Sequence, residues 1–192
     1  MNALLPAFVD RLLDQGRDPG EIPQLPASSA TGWLGLLAAR ILSVPDTGTR
    51  QPADAFLAHS YVHLPFPAPG GRAIYLRLAS HSAMEPWPVL TTSVVLTVAG
   101  TVTLEMYEEA ADSRAGRTQY ARSFGPEQVF AVHPGTHCST QSSPDGVQVL
   151  ATASTSPRLG TSLTGDEYAA AAQRARWVLD GLAHGAPAGD HR

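Results

Sequence analysis

The segment 124–143 reads FGPEQVFAVHPGTHCSTQSS. A β-run, Gln128 to Val132, meets a tight turn, His133-Pro134-Gly135-Thr136, and re-enters a second β-run that begins with His137 and Cys138. Pro134 presets φ and Gly135 accepts a positive φ, so the turn has a mechanism. It delivers an imidazole and a thiol to the mouth of a sheet. Neighbouring strand residues point to opposite faces. One of His137 and Cys138 therefore faces the interior, and the sequence leaves open which.

Outward from this segment the apolar period is twofold. Candidate strands are 58–64, 72–80, 89–99, 101–108, 117–123, 127–132, 136–142 and 147–155. The separators carry turn chemistry: Pro69-Gly70-Gly71, Gly100, Ser113 to Gly116, Gly125-Pro126, Pro134-Gly135 and Pro144-Asp145-Gly146. Short strands at this spacing predict a sandwich or barrel rather than a parallel α/β sheet.

The flanks are helical. Residues 3–15 place Leu4, Leu5, Phe8, Val9, Leu12 and Leu13 at helical spacing, and 31–43 place Trp33, Leu36, Leu37 and Ile41 on one stripe. Between them Pro19, Pro23 and Pro26 read as an extended connection, and 45–55 is a polar loop. At the other end Thr164-Gly165-Asp166-Glu167 fits a capping box. A helix follows with Tyr168, Ala171, Ala172, Ala175, Val178, Leu179 and Leu182 on its apolar face. The expected layout is one globular domain: an N-terminal helical extension over 1–55, a β-body over 56–157, and a C-terminal helix and tail over 158–192.

The chain has 192 residues, 43% of them hydrophobic, which suffices for a packed core. Its formal net charge is -4, lysine is absent and no arginine cluster occurs, so nucleic acid and anionic membranes are not expected partners. The lone cysteine, Cys138, excludes an internal disulfide. The N-terminus carries Asp10 and Asp14 and lacks a basic start with a long apolar core, so a cytoplasmic protein is expected. No P-loop, dinucleotide fingerprint, Ser-His-Asp context or metalloprotease helix is present.

This layout resembles the cupin superfamily, the double-stranded β-helix or jelly-roll proteins, over about residues 56–157. The second cupin motif, a Gly, a β-run, a Pro-Gly turn and a metal-binding His, is matched by Gly125, VFAV, Pro134-Gly135-Thr136 and His137. The close of the first motif is matched by SVVLTVAGTVTLEMYE, with Gly100 in the turn. The resemblance implies a cupin-type barrel with two N-terminal helices and one C-terminal helix, a small-molecule ligand in a barrel pocket, and a homodimer. The element order is also similar to the thiol dioxygenase branch, through HSYVHLPF, the PGGR turn and AIYLRLAS.

The departure from the pattern is as informative. Counted back from Gly100, the HxH pair of the first motif falls on Pro86 and Pro88, and its Glu on about Ser93. Proline offers no ligand atom. The third ligand is His137 or Cys138 according to the spacing read, and neither restores a site, since a non-haem iron takes about three protein ligands. No metal is therefore favoured. Fe(II) or zinc would need a displaced set, His81, Glu85 and His137.

Candidate catalytic residues are His137, Cys138, His63 and Tyr61; candidate substrate-binding residues are His59, Arg77 and Trp87. His59, Tyr61 and His63 recur at every second residue and are expected on one face of the first strand. The thiol dioxygenase layout carries there an arginine that holds the substrate carboxylate. None occurs in this stretch, and Arg77, on the next strand, is the nearest cationic substitute. Each residue also has a structural reading, as a satisfied polar group, an edge or a surface side chain. Glu105 is expected to be exposed. The expected activity is acid–base chemistry of a cyclase, isomerase or lyase type. A metal-dependent dioxygenase and a non-catalytic binding or assembly subunit are the alternatives.

Overall fold

The computed structural model describes residues 55–66, 73–80, 86–153 and 160–183. The predicted N-terminal helices, the Pro69-Gly70-Gly71 turn, His81 and Glu85 lie outside these residues. Within them the chain is mainly β. The elements are β1 (Phe56–Ala58), β2 (Tyr61–Phe66), β3 (Ala73–Ala79), β4 (Trp87–Pro88), β5 (Ser93–Ala99), β6 (Val102–Tyr107), α1 (Ala110–Arg114), β7 (Tyr120–Phe124), β8 (Val129–Val132), β9 (His137–Ser142), β10 (Val147–Thr152), β11 (Thr161–Ser162) and α2 (Gly165–Ala183).

The strands form two antiparallel sheets. The larger has the order β11-β1-β2-β3-β10-β5-β8 and the smaller the order β4-β9-β6-β7. Strand alternation sorts the core into two layers. Leu76, Leu78, Leu96, Val98, Val147 and Val149 point away from the smaller sheet and pack with Ala171, Ala175 and Val178 of α2. Val95, Val102, Leu104, Phe124, Phe130 and Cys138 form the second layer, drawn from both sheets. β5 is buried at every position because its sheet is covered on both faces, which is why its sequence, SVVLTVA, reads as an unbroken apolar run.

α2 starts as its capping box predicts: Thr164 N–H donates to Glu167 Oε2 at 2.8 Å and Glu167 N–H returns to Thr164 Oγ1 at 3.4 Å. Arg174 ties the helix to the sheet by donating to the Ala79 carbonyl at 2.6 Å and to the Pro144 carbonyl.

Several expectations need correction. The first predicted strand, 58–64, is two strands. His59 and Ser60 both hold positive φ (49° and 67°), and the chain reverses so that Ala58 pairs with Tyr61 and Phe56 with His63. A two-residue hairpin with both central residues at positive φ follows the right-handed twist of its strands. The predicted strand 89–99 shortens to 93–99, preceded by the two-residue β4. α1 occupies part of the predicted loop at 113–116; Asp112 caps the Glu109 N–H at 3.2 Å and pairs with Arg117 at 2.7 Å. Glu105 is half-buried rather than exposed, because the hydroxyl of the buried Tyr107 donates to it.

Candidate functional site

Between the two sheets lies a cavity of about 130 Å³, lined by residues from β1, β2, β3, β5, β6, β8, β9 and β10, by the β1–β2 turn and by the 87–91 stretch. Its wall is largely apolar: Phe56, Val89, Val95, Leu104, Phe130, Val132 and Leu150. Its polar part gathers His59, His63, Tyr75, Arg77, Cys138 and Thr140. An apolar cleft with a few convergent polar groups is the usual form of a small-molecule site.

Each polar group has an identifiable support. His63, on β2, is 4% exposed. Its ring stacks on Phe56 with centroids 4.5 Å apart and an interplanar angle of 5°, while Tyr75 meets it edge-on at 5.7 Å. The register explains the stack, since Phe56 lies opposite His63. Nδ1 lies 3.1 Å from the Tyr61 carbonyl. That oxygen only accepts, so Nδ1 donates to it whenever it carries a proton, and the Phe56 backbone is a second hydrogen-bond partner of the ring. Burial, and then the charge of Arg77, hold His63 well below its ordinary pKa of 6.5.

His59 sits at the hairpin apex and stacks on Trp87 with centroids 4.5 Å apart. Burial and Arg77 lower its pKa to about 4. Both imidazoles are therefore neutral at neutral pH.

Arg77, on β3, lies opposite His63 in the ladder and is 4% exposed. Its guanidinium carbon stands 3.8 Å from the Tyr61 ring centroid, and its buried Nε has no hydrogen-bond partner among the described residues. Tyr61 Oη accepts from Gln148 Nε2 at 3.3 Å, and Gln148 is the ladder partner of Arg77 on β10. Gln148 is absent from the candidates read from sequence. Its signal is a polar residue at an inward position of the strand VQVLAT.

The turn at Pro134-Gly135 resolves the ambiguity at its end. Cys138 faces the cavity and is fully buried. His137 takes the opposite face of β9, half-buried, where Nδ1 has no hydrogen-bond partner among the described residues. The two residues are thus separated by the sheet. Burial raises the Cys138 thiol to about 12, outweighing the lowering effect of Arg77, so the side chain is a protonated thiol rather than a thiolate nucleophile. Trp87 pairs with Cys138 and Pro88 with His137.

A cupin metal does not fit the described residues. Pro86 and Pro88 carry no ligand atom in their side chains, and His137 does not line the cavity. Among the described residues no group of three or more His, Cys, Asp or Glu is placed to hold an ion.

The sequence matches no family model and none of the curated proteins. Solved structures with a similar chain course include the hydroxypropylphosphonic acid epoxidase of S. wedmorenis, with a TM-score of 0.42 and 5% identity over 53% of this chain. KdgF from Halomonas sp. matches with a TM-score of 0.39 and 12% identity, over 50% of this chain and 82% of that one. Bacillus subtilis oxalate decarboxylase matches with a TM-score of 0.43 and 16% identity, over 61% of this chain and 33% of that one. The match spans 56% of the epoxidase chain. At these scores and identities no property of those proteins passes to this chain.

Proposed function

We propose that this chain is a cupin-type protein that acts on a small organic metabolite in the cavity between its sheets, by acid–base chemistry and without the usual cupin metal. The reaction class is that of a cyclase, isomerase or lyase. The observation that carries the reading is the pair of neutral imidazoles, His59 and His63, on the cavity wall beside Arg77. A neutral imidazole on a cavity wall is equipped to take up a proton from a bound molecule. Arg77 fixes the orientation of a bound molecule, and Trp87 closes the wall beside His59. Cys138, held as a thiol, acts as wall rather than nucleophile.

Two measurements test this reading. Elemental analysis of the purified protein is expected to find iron and zinc far below one per chain; stoichiometric iron that disappears in His137→Ala overturns the metal-free reading. Nitrogen-15 spectra of the imidazoles at pH 6 are expected to show His59 and His63 neutral, and a protonated ring at either position removes it as the base.

A further inference from the structure

We propose that the stack of His59 on Trp87 is a latch across the mouth of the cavity, with Trp87 its fixed leaf and His59 its swinging leaf, and that its opening sets how fast a ligand enters and leaves. This rests on reading the cavity as the ligand site and adds to that reading a control of access.

The inference starts from where the two rings stand. Val95, Leu104, Cys138 and Thr140 form the deep wall of the cavity and are buried. The rim is the β1–β2 turn and the 87–91 stretch. There His59 and Trp87 are half-buried, Pro88 is exposed and Leu90 is 55% exposed. The rings reach the rim from opposite sides. His59 stands on the turn between β1 and β2, in the larger sheet, and Trp87 belongs to β4, in the smaller one. Their centroids are 4.5 Å apart and their planes 24° from parallel. The contact therefore ties one sheet to the other at the solvent end of the cavity.

The two leaves are held differently. Trp87 lies between Pro86 and Pro88, whose rings fix φ on either side of it. It pairs with Cys138 in the ladder, and just beyond it the Val89 N–H donates to the Thr136 carbonyl at 2.9 Å. His59 is the first of two positive-φ residues at a hairpin apex. The Ser80 N–H donates to the Ser60 carbonyl at 2.9 Å, so the turn is anchored too. The freedom left to His59 is rotation of its imidazole between staggered positions, on the indole and away from it. Non-glycine residues persist at positive φ only where their surroundings impose it, and they cluster at ligand clamps and switches. The strength of the contact also suits a latch. One aromatic stack shifts an equilibrium by about two- to tenfold, which favours the closed position without locking it.

The test follows a neutral probe of the cavity's size. The volume of about 130 Å³ is close to the roughly 150 Å³ of an apolar cavity that benzene enters. Fluorobenzene is titrated into the full chain, and exchange of its fluorine resonance gives the association and dissociation rates separately. His59→Ala is expected to raise both rates by a common factor of about two- to tenfold and to leave Kd within about twofold of wild type. His59→Phe keeps a ring on the indole and is expected to keep the wild-type rates. If His59→Ala does not fold, Trp87→Leu, which removes the other leaf, is read in the same way. Unchanged rates overturn the latch and leave the cavity as a freely open ligand site. A weaker Kd that comes from faster dissociation alone also overturns it, because it marks the ring as a ligand contact. No binding of fluorobenzene to wild type or variant overturns the latch together with the reading of the cavity as a ligand site.

Discussion

Arg77 and Tyr61 form a stacked pair in the interior, guanidinium carbon to ring centroid 3.8 Å, and Gln148 anchors the far end of the ring through Tyr61 Oη. The two halves of this arrangement separate by mutation. Tyr61→Phe keeps the ring and strands the Gln148 amide, at a cost of about 1–3 kcal/mol. Tyr61→Leu also removes the cation–π contact, worth about 2 kcal/mol more in a desolvated setting. Urea denaturation is expected to rank Tyr61→Leu below Tyr61→Phe; equal losses would show that the guanidinium gains nothing from the ring.

Stability is expected to fall as pH drops below 6.5. The unfolded chain protonates His59 and His63 near their ordinary value of 6.5, whereas the folded chain keeps His59 neutral down to about 4 and His63 neutral well below 6.5. Depressed folded values contribute stability that is complete above 6.5 and lost as pH falls through the window beneath it. The fully buried His63 adds a slope of up to about 1.4 kcal/mol per pH unit, and the partly exposed His59 adds less because solvent screens it. Denaturation midpoints between pH 7 and 5 check this. His63→Gln is expected to flatten the slope, and an unchanged slope would remove His63 from the account.

Cys138 is expected to resist thiol reagents in the native protein. The thiol is fully buried and raised to about 12, so modification at pH 8 should rise with urea in step with unfolding. Rapid labelling of the native protein would instead indicate an activated thiolate.

Gly100→Ala is expected to be strongly destabilising. Gly100 holds φ +68, and an added Cβ would meet Gly146 Cα at 2.9 Å and Asp145 Oδ1 at 3.0 Å. The left-handed backbone costs about 1–2 kcal/mol for an L-residue, and the clash with the backbone of the 143–146 turn adds overpacking of about 1–3 kcal/mol. A thermal melt comparing the variant with wild type measures the sum.

Much of the β-body is legible in the sequence because its strands alternate and its turns use Gly and Pro. The segment 128–142 and the Gly100 turn lie where turn chemistry places them. The hairpin at His59–Ser60 is not legible, since it contains none of the Gly, Asn or Asp that mark a two-residue turn. Its conformation is imposed by the pairing of Ala58 with Tyr61. β4 hides for the opposite reason: two prolines argue against a strand, and only an edge position admits them. At the site, the polar inward residues His63, Arg77 and Gln148 are visible as interruptions of apolar strands. The facing of His137 and Cys138 is not, because it depends on which side of the smaller sheet meets the larger one. Glu105 misled for a similar reason, its partner Tyr107 being buried on the face that strand alternation had assigned to solvent.

The prolines at 86 and 88 have a consequence unrelated to metals. Among the described residues β4 is the terminal strand of the smaller sheet, and a strand at that position normally presents a row of free N–H groups that invites a foreign strand to add on. Pro88 has no N–H to offer, and neither does Pro86 just before it. This rim is therefore blunted against amyloid-like extension and strand swapping. Among the described residues the opposite rim of that sheet is β7, exposed from Tyr120 to Ser123, so that strand is where edge-to-edge growth of the smaller sheet would have to begin.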